Sequence, residues 1–270
     1  MTTPGSDDYN VVVIGAGNAA LTAALAAKEA GARVVVLEKA PEPLCGGNTR
    51  FSGGLFRFVY DGIQDVKELM PGLSPADLER VDVGRYTAQD YYADVMRVSA
   101  GEADPTLSRL MVDESLPIMH WMRQKGVAWD FTSLWTVESE GRTTFTSGSL
   151  LQARGKGVRL SEMLFAAAAR QDIPVLYQAK FQQFLLDGQG AIRGLVVRTP
   201  EGIREVTCQA AVLASGGFEA NAEMRARYLG GNLDRAKVRG TKYNTGEGLM
   251  AALAIGAKPV GHWRGCHATP

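Results

Sequence analysis

Tyr9-Asn10-Val11-Val12-Val13-Ile14-Gly15-Ala16-Gly17-Asn18-Ala19-Ala20 is the stretch that decides the fold. A β-branched run ends at two glycines and continues as alanine-rich helical sequence, which is typical of the strand, tight turn and helix of a dinucleotide site. Gly15 allows a sharp turn, Gly17 lets the backbone approach a pyrophosphate, and Ala20 takes the third, close-packing position. The helix N-terminus, with Asn18 and Ala19 in its first turn, would face the phosphates with unpaired N–H groups and a positive dipole end.

A second apolar strand, predicted over residues 33–37, is followed by an acidic residue at the sequence separation typical of dinucleotide sites. Glu38 follows the glycines by about twenty residues, as recognition of ribose hydroxyls requires, and Lys39 beside it is a further candidate contact. Strand, glycines, helix, strand and acid in register predict adenine-dinucleotide binding, against the alternative of an ordinary βαβ turn. These residues leave NAD and FAD both open.

Composition narrows the class of ligand. The 270 residues are 46% hydrophobic, enough for a sizeable core, and Lys plus Arg equals Asp plus Glu at 29 each. This balance argues against nucleic acid and favours small-molecule chemistry. The three cysteines are far apart without metal-ligand spacing, and neither a signal peptide nor a transmembrane run is recognisable. We therefore expect a cytoplasmic protein in a reducing compartment, without a metal.

A second glycine-rich loop covers residues 46–54 and contains two glycine pairs. Glycine pairs let the backbone lie against a flat or charged ligand, and small polar side chains supply hydrogen bonds without bulk. An NAD enzyme would more often continue into its third strand here, so the loop favours FAD over NAD. The alternative is a flexible surface loop. The small polar side chains that could donate or accept these hydrogen bonds are Asn48, Thr49 and Ser52.

The later chain alternates helical and strand-like patterns. Helical spacing predicts helices over 86–99, 105–113, 116–125 and 162–170, whereas 128–155 has no clear period and is predicted as loops. Runs at 179–186, 192–198 and 203–208 predict a small antiparallel sheet with a glycine turn. A buried strand over 210–213 then leads into a turn made of Ala214, Ser215, Gly216 and Gly217.

Three motifs carry a family resemblance: GAGNAA at 15–20, VVVLEKA at 34–40 and GGNTRFSGG at 46–54. Together they resemble the FAD-dependent flavoproteins of the fumarate reductase and succinate dehydrogenase family, and among its members look nearest to tricarballylate dehydrogenases. The resemblance implies an α/β fold. A Rossmann-like FAD-binding domain with inserted antiparallel strands would occupy residues 1–221, and an α+β substrate-capping domain would begin over 222–270.

The resemblance also implies FAD contacts in several turns. In the second glycine-rich loop they are Gly46, Gly47, Asn48, Thr49, Gly53 and Gly54. The turn at 214–217 is similar to the family's A-(T/S)-G-G element. The segment Thr245-Gly246-Glu247 resembles its T-G-(D/E)-G element, with Glu247 in place of the commoner aspartate. Some members hold FAD covalently through a histidine near the second glycine-rich loop, and this chain has none there. Noncovalent FAD is therefore expected.

The reaction implied by the resemblance is hydrogen transfer across a carbon–carbon bond next to a carboxylate or ketone, as in a di- or tricarboxylate. His267 resembles the substrate-binding histidine of the family's H-P-T element, although Ala268 stands where proline is usual. An electron donor or acceptor protein, or a quinone, is an expected partner. Two alternatives stay open: an FAD-holding half completed by a partner polypeptide, and an NAD-dependent dehydrogenase.

The family pattern extends past residue 270. It places the proton-transferring arginine, further substrate-binding residues and the last βα unit of the FAD domain in later sequence. On this reading we expect residues 1–270 alone to bind flavin weakly and to lack turnover.

Overall fold

The computed structural model describes residues 8–132, 134, 136–145, 150–261 and 263–267. Its strands are β1 (Asp8–Ile14), β2 (Val34–Leu37), β3 (Leu55–Arg57), β4 (Val81–Asp82), β5 (Trp129–Phe131), β6 (Thr136–Ser139), β7 (Arg142–Phe145), β8 (Leu150–Ala153), β9 (Val175–Leu176), β10 (Lys180–Leu186), β11 (Ile192–Thr199) and β12 (Gly202–Leu213). Its α-helices are α1 (Asn18–Glu29), α2 (Ile63–Leu69), α3 (Pro75–Glu79), α4 (Ala88–Val98), α5 (Pro105–Asp113), α6 (Ser115–Gln124), α7 (Lys156–Arg170), α8 (Ala222–Met224) and α9 (Glu247–Ala254).

The chain divides into two compact units. The first comprises Met1–Phe51 and Ser161–Pro259, and the second comprises Ser52–Leu160 and Val260–Pro270. The functional boundary expected after residue 221 stays a prediction. The mixed α/β architecture itself agrees with the fold class expected from the sequence.

The first unit is built on a six-stranded sheet in the order β10-β11-β12-β1-β2-β9. β1 pairs in parallel with both β2 and β12, and β2 pairs in parallel with β9. The chain therefore leaves β1 toward β2 on one side and reaches it again through β12 on the other. Such a reversal of strand order is a topological switch point, and ligands bind at the carboxyl ends of the strands that flank it.

β12 corrects the prediction of a separate antiparallel sheet. The predicted strands over 203–208 and 210–213 are one continuous strand. At Thr207 this strand pairs with Gly194 of β11 in antiparallel fashion and with Asp8 of β1 in parallel. The antiparallel strands therefore extend the main sheet. The segment over 210–213 is also not buried as predicted, because Ala210 is exposed and the next three residues are half-buried.

The core of this unit follows from the β-branched strands. Val12, Ile14, Val35 and Leu37 are buried and pack in one apolar cluster with residues of β10, β11 and β12. Val13 and Val36 are also buried, and α1 contacts both strands. Full burial of each such side chain stabilises the fold by about 1.5–3 kcal/mol. This burial fixes the register of β1, and hence the position of the glycine turn that follows it.

The second unit contains two three-stranded sheets, in the orders β3-β8-β5 and β4-β7-β6. The prediction of loops over 128–155 is wrong for the described part of that stretch, which holds β5 to β8. These strands have only three or four residues, too few to show a period in the sequence. Phe56 on β3 and Trp129 on β5 make an edge-to-face pair with ring centroids 4.9 Å apart. Among the described residues, no helix combines the length and the apolar character that a membrane span requires.

Candidate cofactor site

A cleft of about 520 Å³ opens in the first unit at the carboxyl ends of β1, β2 and β12. Its lining combines five predicted segments: the glycine turn after β1, the acid and lysine after β2, the second glycine-rich loop, the turn after β12 and the turn at the start of α9. Its volume lies in the range of small-molecule and cofactor sites. The predicted contacts that line it are Gly15, Gly17, Asn18, Ala19, Glu38, Lys39, Gly47, Asn48, Thr49, Ala214, Ser215, Gly216, Thr245, Gly246 and Glu247.

The two glycines of the first turn, Gly15 and Gly17, have different structural roles. Gly15 has a φ of +107°, and a Cβ there would stand 2.4 Å from the carbonyl oxygen of Ala214. Gly15 is therefore required by the fold itself. A Cβ on Gly17 would meet nothing closer than Thr49 Oγ1 at 3.4 Å. The space above Gly17 is thus open in the protein, as expected where backbone approaches a pyrophosphate.

The N-terminus of α1 suits an anion. Gly17 provides no side-chain cap, and the first turn has no acidic residue. The Asn18 N–H donates to Thr49 Oγ1 at 2.8 Å, whereas the buried Asn18 Oδ1 has no partner in the described part of the chain. Rotation of this amide by half a turn would place its NH₂ donor where the oxygen is. Amide donors and the helix dipole together favour a phosphate here.

Glu38 follows β2 and is buried, with 6% exposure. Its Oε1 accepts a hydrogen bond of 2.7 Å from the Ala40 N–H. Burial raises the pKa of the carboxyl above its usual value, and backbone hydrogen bonds offset part of that shift. A carboxylate offers about four acceptor sites, so Glu38 can accept from the hydroxyls of a ribose in addition to the backbone.

Glu247, at the start of α9, is held by two lysines. Its Oε1 lies 2.9 Å from both Lys39 Nζ and Lys180 Nζ, and Thr245 Oγ1 donates to its Oε2. Although burial raises the pKa of Glu247, hydrogen bonds from Lys39, Thr245 and Lys180 lower it to about 2. Glu247 is therefore an anion over the whole physiological range.

The second glycine-rich loop is tied down by its own side chains. Asn48 Oδ1 accepts a hydrogen bond of 2.9 Å from the Thr241 N–H. Thr49 accepts from Asn18, as described above. These two side chains thus bind neighbouring backbone and hold the loop against the cleft, while Gly47 exposes its backbone to the lining.

Some predicted residues do not line the cleft. Gly46 and Gly217 belong to the first unit but pack beside Ser161 and Glu219 instead. Ser52, Gly53 and Gly54 belong to the second unit, where the Gly53 and Gly54 carbonyls accept from the Gln152 side chain and the Ala153 N–H. His267 is an exposed residue of the second unit, and Ala268 lies outside the described residues. The roles of these residues stay predictions.

Sequence reasoning missed several lining residues. Lys180 and its neighbours come from the edge of the sheet, and their approach to Glu38 depends on β9 and β10. Asn244 Nδ2 donates to Glu219 Oε2 at 3.2 Å, which joins the segment after the turn at 214–217 to the segment before α9. The sequence signal that could have found Lys180 is a charged residue at the second position of the strand predicted over 179–186. The lining residues outside the predicted set are Ile14, Ala16, Leu37, Ala179, Lys180, Phe181, Leu213, Thr241, Tyr243, Asn244 and Gly248.

Arg225 is a further residue that the sequence reasoning missed, although it does not line the cleft. It is buried, and its guanidinium donates to the carbonyls of Glu219 at 2.5 Å, Asp234 at 2.7 Å and Leu233 at 2.8 Å. Five donors in a rigid fork allow one arginine to bind several carbonyls at once. The segment between the turn at 214–217 and the lining at 241–248 is therefore folded around one cation.

The lining as a whole fits the adenosine diphosphate portion of a dinucleotide. The N-terminus of α1 faces a turn with open backbone, and a desolvated carboxylate lies at the end of the neighbouring strand. Apolar residues of the sheet, among them Ile14, Leu37, Phe181 and Leu213, contribute to the same lining. Such a surface accommodates an aromatic base beside a phosphate subsite.

Comparisons with known proteins agree with this geometry. Fumarate reductase (cytochrome) from Shewanella frigidimarina is 26% identical over 222 residues, covering 82% of this chain and 35% of the relative. 4-Oxocyclohexanecarboxylate 2-dehydrogenase from Sinomonas cyclohexanicum is 30% identical over 305 residues, covering 96% of this chain and 51% of the relative. The open conformation of a flavocytochrome c3 fumarate reductase superposes with a TM-score of 0.74 at 25% identity, covering 94% of this chain and 41% of that one.

The chain thus spans about a third to a half of the length of these relatives. The profile of the FAD binding domain family matches residues 10–268. The chain therefore belongs to the FAD binding domain family of fumarate reductase-like flavoproteins, and FAD is its cofactor.

Proposed function

We propose that the protein is an FAD-dependent oxidoreductase that adds or removes two hydrogens across a carbon–carbon bond adjacent to a carboxylate or ketone. The observation that carries the proposal is the cleft itself, in which an open glycine turn, the N-terminus of α1 and the desolvated Glu38 converge. Support for the reaction class comes from relatives named fumarate reductase and 4-oxocyclohexanecarboxylate 2-dehydrogenase. One acts on a dicarboxylate by its name, the other on a ring that carries both a ketone and a carboxylate.

Bound FAD would supply hydride exchange at its flavin ring. The chain's own residues bind and orient it. The N-terminus of α1 would hold the pyrophosphate, and Glu38 would accept from the ribose hydroxyls. The described lining of the cleft contains no histidine, which supports noncovalent attachment. His267 remains the proposed contact of the substrate's acid group.

The proposed partners are a small carboxylate or ketone and an electron donor or acceptor, either a protein or a quinone. Cys45, Cys208 and Cys266 are free thiols. They support a reducing compartment such as the cytoplasm.

Flavin titration of the purified chain tests the proposal. FAD added to the protein should give a perturbed flavin absorbance spectrum and quenched flavin fluorescence, and NAD should not compete for the site. Binding of NAD in preference to FAD would favour the nicotinamide alternative. The reaction class is tested on a chain extended by the later sequence that the family pattern places after residue 270. On that chain, flavin reduced anaerobically should be reoxidised by an unsaturated carboxylate such as fumarate or by an unsaturated cyclic ketone. Bound, reducible FAD on the extended chain that no such acceptor reoxidises would contradict the reaction class alone.

A further inference from the structure

Two lysines reach the same carboxylate oxygen in the cleft. Lys39 follows β2 and Lys180 begins β10, and each ammonium lies 2.9 Å from Glu247 Oε1. An ammonium has three N–H donors and no acceptor. The two lysines differ in how many of these donors the protein uses.

Lys39 uses all three donors within the protein. Besides Glu247 it donates to the Tyr243 carbonyl at 3.2 Å and to Thr245 Oγ1. It ties the end of β2 to the turn that precedes α9. A ligand could bind Lys39 only by replacing one of these contacts.

Lys180 has Glu247 as its one acceptor among the described residues. Its side chain is 41% exposed and lines the cleft. Two N–H donors therefore remain for a ligand, while the ion pair with Glu247 restricts where the ammonium can lie. Such preorganisation reduces the entropy that a flexible lysine loses on binding.

The position of Lys180 identifies the part of the cofactor within its reach. The preceding residue, Ala179, donates its N–H to the Glu38 carbonyl at 2.9 Å. Lys180 therefore follows the residue that is hydrogen-bonded to the backbone of Glu38, the acid that would hold the ribose. Adenosine offers acceptors there, in its ring nitrogens and ribose oxygens.

We propose that Lys180 is the cationic contact of the adenosine half of FAD and that Glu247 and Lys39 are the residues that position it. This inference rests on the FAD assignment and deepens it. Glu247 has one more methylene than the aspartate common at this position of the family motif. That extra reach lets one carboxylate meet Lys39, Lys180 and Thr245 together.

Binding measurements on the full chain test the inference. Lys180→Met should raise the dissociation constants of FAD and of ADP in parallel by about tenfold, the scale of a hydrogen bond to a charged group. The absorbance spectrum of the bound flavin should stay that of the wild type, because the isoalloxazine is not touched. Lys180→Arg keeps the charge and donors and should restore most of the affinity. Lys237→Met removes an exposed lysine outside the cleft lining and serves as the matched control.

Lys39→Met distinguishes the structural role of Lys39 from the proposed binding role of Lys180. It should lower the melting temperature more than Lys180→Met does, because Lys39 has three protein acceptors. Wild-type affinity of Lys180→Met for both FAD and ADP would overturn the inference, and so would loss of FAD affinity without loss of ADP affinity. If Lys180→Met unfolds, Lys180→Gln takes its place in the same two titrations. A wild-type chain that binds neither ligand would overturn the FAD assignment together with this inference.

Discussion

Glu38 and Glu247 line one cleft and occupy opposite electrostatic situations. Glu38 is almost fully buried with backbone amides around it, and burial raises its pKa. Glu247 is 35% exposed, and although burial raises its pKa, two lysines and a threonine lower it to about 2. Glu247 thus takes its hydrogen bonds from side chains, whereas Glu38 takes them from backbone amides and has no lysine paired to it at hydrogen-bond distance among the described ion pairs. The difference separates a residue that binds from a residue that positions.

Gly17, like Glu38, is expected to contact the ligand, and the fold itself does not require a glycine there. Gly17→Ala therefore has the largest expected effect on binding relative to stability. The added methyl group meets only ordinary contacts in the protein, and the melting temperature should stay within a few degrees of the wild type. The same methyl group would collide with a bound pyrophosphate, and overpacking of 1–3 kcal/mol corresponds to up to about a hundredfold loss of FAD affinity. Fluorescence titration and thermal melts measure the two quantities. A large fall in melting temperature would place Gly17 with Gly15 as a structural residue.

Glu38→Gln tests the binding carboxylate directly. FAD affinity should fall by about thirtyfold, because hydrogen bonds to a charged group are each worth about 1.5–3 kcal/mol. A raised folded-state pKa means that ionisation opposes folding, and stability is lost as the pH rises from the unfolded toward the folded pKa. At pH 7 the ligand-free variant should therefore melt no lower than the wild type. A destabilised variant with unchanged FAD affinity would reverse the roles of the two acids.

Glu247→Gln tests the positioning carboxylate and should show the opposite profile. A lowered folded-state pKa contributes stability above the unfolded value of 4.5, and this stability is lost as the pH falls toward about 2. With allowance for solvent screening, the variant should lose about 1 kcal/mol at pH 7. The difference from the wild type should vanish near pH 2 in chemical denaturation. A difference that persists at pH 2 would mean that packing, and not charge, explains the effect.

The salt dependence of the free energy of unfolding is the prediction with the smallest expected effect. Raising NaCl from about 0.1 to 1 M shortens the screening length from about 10 to 3 Å and weakens partly exposed ion pairs. The stability difference between wild type and Glu247→Gln should shrink by a few tenths of a kcal/mol. The stability difference between wild type and Glu38→Gln should change less, because burial and not an ion pair dominates there. Equal salt dependence of the two variants would remove the distinction.

The part of the site that is formed by consecutive residues near the N-terminus could be predicted from the sequence. β1, the glycine turn, α1, β2 and Glu38 are continuous in the chain, and each step limits the next through strand burial and helix geometry. The short strands β5 to β8 were not predictable, because three or four residues show no period. β12 was divided in two, since the sequence does not reveal that one strand changes partners at Thr207.

The lysines show the same limit at the level of the site. The sequence predicts Lys39 as a contact because it stands beside Glu38, yet its ammonium has three acceptors within the protein. Lys180 was not selected, because its meeting with Glu247 depends on how β10 and α9 pack. Sequence motifs predict which segments surround a ligand. Which side chains remain available to it depends on contacts between residues far apart in the chain.

The change of partners within β12 has a consequence for motion. One strand is hydrogen-bonded to β11 over its first half and to β1 over its second, so the two sides of the cleft that carry Lys180 and the glycine turn belong to one hydrogen-bonded sheet. Local opening of either side would break this ladder. We expect the amides of β12 near Thr207 to exchange with deuterium among the slowest in the first unit, so the adenosine end should be a rigid template before the cofactor arrives.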